Sequence, residues 1–128
     1  MAKINNTSTV TYKYTLPDTT VKSSSANSNV SSTENMTTSF TKVKSANKTY
    51  AMAGDEVRIM LVLTNNSDYD ITDIKIKDVI DTKATFKPDS VMIDGTTYND
   101  YDPVTGFDLI EQIDRNGGTS TIEYDVTI

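Results

Sequence analysis

The sequence contains no cysteine, no histidine and no tryptophan, and only 5 glycines and 3 prolines among 128 residues. Without cysteine there is no disulfide and no thiol nucleophile. Without histidine, the commonest base near neutral pH and the usual zinc ligand are missing too. Positive charge is also scarce, with 12 basic residues against 18 acidic ones and a formal charge of −6. A surface of that sign repels phosphate backbones and anionic lipid heads, so nucleic acid is not an expected partner. No apolar run approaches the roughly 18 residues of a membrane span, so no membrane insertion is expected. The opening Met1-Ala2-Lys3-Ile4-Asn5-Asn6 lacks the basic, apolar and small-residue segments of a secretory signal. The chain is expected to be cytosolic at birth, or a mature or excised form.

What the sequence does have is alternation. Val10, Tyr12, Tyr14 and Leu16 recur at period two among Thr and Lys, in a segment otherwise biased to Ser and Thr. β-Branched Thr and aromatic Tyr suit a strand, and Pro17-Asp18 ends it in a turn. Val21 to Ser32 either pairs back on that strand or serves as a linker. Phe40 to Lys44 predicts a short strand, and Gly54-Asp55 turns the chain into Glu56 to Thr64. There Val57, Ile59, Leu61 and Leu63 share one face, while Met60 and Val62 make the other apolar as well, which predicts a central strand.

After the turn residues Asn65 to Asp68, Ile71 to Ile76 predicts a strand with one wet face. Ser90 to Ile93 and Thr96 to Tyr98 predict a hairpin about Asp94-Gly95. Gly106 to Ile110 is a short apolar unit ended by Asn116-Gly117-Gly118. Ile122, Tyr124, Val126 and Ile128 then alternate with polar residues to the last position. No window has a helical apolar stripe, and turns recurring every 8–12 residues or so argue an all-β sandwich. A chain of this length supports one core.

Carboxylates are the only catalytic groups in any number, grouped as Asp68, Asp70 and Asp73 and as Asp100, Asp102 and Asp108. A glycosidase needs two of them at a fixed separation beside a sugar platform. Nothing marks such a pair, so the chain is expected not to be an enzyme and to have no small-molecule substrate. Neither group has the spacing of a helix-loop-helix calcium site, so neither metal nor cofactor is expected, and the acids are taken as solvated loop charges. Lysines such as Lys13, Lys42 and Lys44 are expected on wet strand faces rather than in a covalent cross-link to Asn.

From Phe40 onward the chain resembles the conserved repeat called domain of unknown function eleven. The resemblance rests on Lys44-Ser45-Ala46, Gly54-Asp55-Glu56-Val57 and Leu63-Thr64-Asn65-Asn66. It continues in Ile76-Lys77-Asp78, Asp89-Ser90-Val91, Gly106-Phe107-Asp108-Leu109 and Gly118-Thr119-Ser120-Thr121-Ile122. It implies an immunoglobulin-like antiparallel β-sandwich and a setting on a Gram-positive cell surface or a spore appendage. The closing strands of such a repeat are missing after Ile128, whereas Ile4 to Tyr12 and Ser28-Asn29-Val30 are similar to them. The resemblance thus implies one repeat cut out of phase.

A sandwich lacking its closing strands exposes unpaired edges and apolar core. The amino-terminal strands are expected either to close their own domain or to enter the next molecule, and the length of the connection favours the second. Residues 1–37 are therefore expected to form an extension that donates strands, and residues 38–128 the sandwich. The expected partner is a second copy of the chain, in a homopolymer at the cell or spore surface. Ile4, Val10, Tyr12, Tyr14 and Leu16 are expected on the donor side of the polymer interface, with Ile122, Tyr124 and Val126 on the acceptor side. The alternative is a monomeric adhesion or ligand-binding module that uses the loops at one end of the sandwich.

Overall fold

In a computed structural model that describes residues 2–128, the chain divides into two compact units, Met1–Met36 and Thr37–Ile128. The first is one long hairpin. Its outer part pairs β2 (Thr9–Thr15) with β3 (Val21–Asn27), and its inner part pairs β1 (Ala2–Asn6) with β4 (Ser31–Asn35), both antiparallel. Thus Val21 to Asn27 pairs back on the first tyrosine strand rather than forming a linker. The tip is closed by Thr19 N–H on Leu16 O at 2.9 Å and Leu16 N–H on Thr20 O at 2.8 Å. Asp18 Oδ1 also accepts the Thr20 N–H at 3.0 Å, the local bond that makes Asp a turn residue. Between the two parts, Ser8 and Ser28 bond to each other in place of regular pairing.

The second unit is built on a six-stranded antiparallel sheet. Its order is β10 (Thr96–Thr97), β9 (Met92–Ile93), β12 (Gly118–Thr127), β6 (Glu56–Asn65) and β5 (Phe40–Ala46), with β8 (Thr85–Phe86) also on β12. β6 and β12 are paired over ten residues, from Glu56↔Thr127 to Asn65↔Gly118, and β6 is central as its two apolar faces predict. This register puts Val57, Leu63, Ile122, Tyr124 and Val126 on one face, buried with Ile76, Val91, Phe107, Leu109 and Ile113. Burial of large aliphatic and aromatic side chains at about 1.5–3 kcal/mol each is what holds this unit together.

The opposite layer is thin. β7 (Lys75–Ile76) and β11 (Phe107–Asp108) pair only with each other, and Ile71↔Ile113 adds one isolated bridge. The strand expected over Ile71 to Ile76 is therefore cut to its last two residues. Asp73 has φ 55°, a left-handed conformation that interrupts an extended run. The hairpin at Asp94-Gly95 forms as expected, with φ 49° and 86° at the two turn residues, the mirror-image turn that fits the twist of the strands. The strands are antiparallel and no helix is present among the described residues, an all-β arrangement consistent with a β-sandwich.

Candidate functional site

On the outer arm of the hairpin, the register opposes Val10 to Ala26, Tyr12 to Ser24 and Tyr14 to Lys22. Cross-strand partners share a face, so Val10, Tyr12 and Tyr14 form one apolar ridge, with the two rings 6.4 Å apart. The other face is polar: Thr9 donates to Asn27 Oδ1 at 2.9 Å, and Thr11 and Lys13 stand opposite Ser25 and Ser23. On the inner arm Ile4 stands opposite Thr33. Val10 is 59 % exposed, Ile4 52 %, Tyr12 48 %, Tyr14 46 % and Leu16 38 %. A two-stranded hairpin has no interior of its own and is marginal in water, so this ridge is a surface in want of a cover.

Ile122, Tyr124 and Val126 lie elsewhere in the energetics. They are 0 %, 2 % and 5 % exposed, packed in the core of the second unit. The strand that carries them is flanked on both sides. Ile122 is opposed by Leu61 and by Ile93, and Val126 by Val57 and by Phe86. Between those pairings Ser90 Oγ accepts the Asp125 N–H at 3.0 Å. The sequence pattern places these three side chains on one face correctly, but it carries no sign that the backbone edges of β12 are already taken.

Unfilled space lies one strand further out. A hollow of about 160 Å³ runs between the inward face of β5–β6 and the segment of β7, lined by Phe40, Leu61, Leu63, Ile74 and Ile76 with lysines at its mouth. A second hollow, of about 200 Å³, is lined by Ile59, Ile80, Ala84, Tyr124 and Val126. Lys44 lines the second, its Nζ 2.7 and 2.6 Å from the two carboxylate oxygens of Asp78. Tyr124 OH donates to the same carboxylate. Burial pushes the Asp78 carboxyl up, but the hydrogen bonds from Lys44 and Tyr124 and the lysine charge outweigh it, so it is held below the usual aspartate value. The Tyr124 phenol is pushed well up, by burial first and then by the neighbouring carboxylate.

Sequence reasoning missed this Lys44–Asp78–Tyr124 group, because its members are far apart in the chain and none has a motif. Asn65, expected as the first of the turn residues, is instead the last residue of β6 and fully buried. Its Nδ2 donates to the carbonyls of Tyr69 and Ile113 at 2.9 Å each, and its Oδ1 accepts the Ser67 N–H at 3.0 Å. This fastens the end of β6 to the thin layer. The loop acids have local duties: Asp70 accepts from the Arg115 backbone and guanidinium, Asp68 Oδ2 from the Thr37 N–H, and Asp102 from the Val104 N–H.

A third feature is a cleft of about 300 Å³ lined by Tyr98, Tyr101, Ile113, Glu111 and Gln112 among others. Tyr98 stacks on Tyr101 at 4.9 Å, and Tyr101 on Phe107 at 4.8 Å. No family model, no curated protein and no solved structure matches the chain.

Proposed function

We propose that this chain is a structural subunit that assembles head to tail by β-strand exchange into a fibre. In this reading the amino-terminal hairpin is the donor, and the second unit is an immunoglobulin-like sandwich whose thin layer the donor completes. The observation that carries the proposal is the hairpin itself, whose apolar ridge of Val10, Tyr12 and Tyr14 stands half exposed on a two-stranded ribbon. Edge backbone groups and an apolar face together are the features by which one chain adds strands to another.

The connection supports a second copy over self-closure. β4 ends at Asn35, and Thr37 is held by Asp68 through its N–H and its carbonyl, so Met36 alone is left between them. The tightest hairpin reversal takes two residues. A tight hairpin from β4 back along its own domain would need more free residues than this connection has, which supports a second copy as the partner. The resemblance to the surface repeat supports a cell-surface or spore-appendage setting by analogy alone.

Electron microscopy and light scattering of the full chain test the proposal. Filaments are expected, and Val10→Asp or Tyr12→Asp is expected to abolish them, since each places an unpaired charge in a contact that excludes water. A full chain that stays monomeric at high concentration, with its hairpin resistant to protease, refutes the exchange. The cleft beside the Tyr98–Tyr101 stack favours a second reading, a monomeric adhesion module, because aromatic rings beside carboxylate and amide groups suit a polar ligand with apolar faces. Saturable binding of a soluble glycan by a monomeric chain, lost in Tyr98→Ala, supports that reading instead.

A further inference from the structure

β7 pairs with β11 on one side, and no strand among the described residues pairs with it on the other. Its inward side chain, Ile76, and neighbouring Ile74 face Phe40, Leu61 and Leu63 across the larger sheet's hollow. On β6, Val57 and Leu63 are buried, whereas Ile59 and Leu61 between them pack against the core but are only partly buried. The six-stranded sheet is thus roofed by a layer whose strands are two residues long, and the partly covered strip lies beside the edge of β7 that no strand pairs among the described residues. We propose that this strip is the acceptor groove, and that its occupant is the β2–β3 arm of a second copy. The inference rests on the strand-exchange reading and moves the acceptor away from the edges of β12, which are both occupied.

Three properties select this occupant. The first is period and length. Val10, Tyr12, Tyr14 and Leu16 repeat every second residue over about 20 Å, as do Val57, Ile59, Leu61 and Leu63, so one comb of side chains meets another at about 3.3 Å per residue. The second is charge. Residues 1–36 carry Lys3, Lys13 and Lys22 against Asp18 and Glu34, a balance of +1, which leaves −7 of the chain's −6 to residues 37–128. An arm of one sign is drawn to a domain of the other.

The third is the blocking of the alternative edge. Lys42 and Lys44 stand opposite Leu63 and Leu61, on the inward face of edge strand β5. Inward lysines on an edge strand deter edge-to-edge pairing, which leaves the β7 side as the open one. Their stems are apolar, and the Lys42 ammonium, which lines the groove, can rest on the Tyr12 and Tyr14 rings once the arm is seated.

The chain has no cysteine, so a pair introduced by mutation has no competitor. Full-length protein carrying Tyr12→Cys and Lys42→Cys, oxidised during assembly, is expected to give a ladder of disulfide-linked multimers on a non-reducing gel. Tyr12→Cys with Thr96→Cys, on the opposite edge of the sheet, is expected to give none. A ladder from the second pair and not the first overturns the groove assignment while leaving strand exchange standing. A fast-running internally linked monomer from the first pair overturns the second-copy occupant.

Complementation separates the two levels independently. Tyr12→Asp still offers a groove, and Ile74→Asp still offers an arm. Each alone is expected to be monomeric, and a mixture is expected to stop at a heterodimer with loss of every larger species. Polymerisation of Ile74→Asp alone overturns the groove. Wild-type protein that never assembles overturns the exchange itself. The cysteine pair uses exposed positions, so the assignment stays testable if Ile74→Asp fails to fold.

Discussion

β2 and β12 carry the same pattern and have opposite fates. Each sets an apolar residue at every second position, with a tyrosine in the run: Val10, Tyr12, Tyr14 in one and Ile122, Tyr124, Val126 in the other. In β12 those residues are at most 5 % exposed, and in β2 at least 46 %. Alternation fixes which side chains share a face, because the strand period is two. It does not say what covers that face. β12 is covered by strands and loops of its own unit, reached through the long register with β6. The ridge on β2 has only β3 beside it in its sheet, and a ribbon cannot cover its own face. The difference is between a pattern buried within the fold and one left about half exposed on a ribbon.

Removing equivalent rings from the two regions is the strongest way to break that comparison. Tyr124 is among the largest fully buried side chains and meets Phe86 edge-on at 6.0 Å. Tyr124→Ala is expected to cost the second unit about 3–5 kcal/mol, the usual range for deleting a buried aromatic ring. Tyr12→Ala is expected to change the unfolding of that unit by less than about 0.5 kcal/mol. Both are to be measured by denaturant titration in a Val10→Asp background, which takes assembly out of the measurement. Equal losses would mean that the β2 ridge is part of the folded core and that the two patterns do not differ.

The turn leading into β12 gives a smaller test. A Cβ at Gly118 falls 2.3 Å from the Asp114 carbonyl oxygen and 2.9 Å from its amide nitrogen, both backbone atoms that a rotamer change cannot relieve. Gly118→Ala is expected to cost about 1–3 kcal/mol, as overpacking does, read as a lower thermal midpoint. The hairpin contains no glycine, and its left-handed tip position is held by Thr19 at φ 71°. Every glycine of the chain lies in the second unit, four of them with positive φ.

Much of this was legible in the residues. The central place of β6 follows from apolar residues on both faces, and the tight turn at Asp94-Gly95 from its residue types. The loss of the expected strand at Ile71 was not legible, because the left-handed Asp73 depends on loop geometry and not on hydrophobic period. The occupied edges of β12 were not legible either. One edge is taken by β6 over ten residues, but the other is taken by two-residue pairings with β8 and β9, too brief to leave a pattern. The Lys44–Asp78–Tyr124 group joins residues 34 and 46 positions apart, a distance over which sequence alone gives no pairing rule.

That group gives a third prediction, in acid. Asp78 holds its proton less firmly in the folded chain than at its ordinary value of 3.8. Its contribution is therefore fully present above that value and is lost as the pH falls through the lower folded one. The thermal midpoint of the second unit is expected to fall as the pH drops below 3.8, with part of the loss owed to this carboxylate. Asp78→Asn is expected to flatten that part of the curve. The exposed arm has no such buried carboxylate, so its contribution to acid lability is expected to be the smaller. An unchanged slope in Asp78→Asn would assign the acid loss elsewhere, such as to Asp70, whose carboxyl is lowered by hydrogen bonds from Arg115.

The smallest effect is expected one residue from the largest disruption of assembly. Thr11 lies between Val10 and Tyr12 but points to the other face of β2, opposite Ser25. Thr11→Asp therefore keeps its charge in water, beside a serine and on the same face as Lys13. The hairpin and the second unit should each change by less than about 0.5 kcal/mol. Assembly followed by light scattering should keep its wild-type rate, while Val10→Asp under the same conditions gives none. Two neighbouring positions and one substituent then differ only in the face they occupy, which isolates burial of the ridge from any general effect of negative charge on the arm. If Thr11→Asp also stops assembly, both faces of the arm are covered in the fibre, and the donor lies between two layers of its neighbour rather than over a single groove.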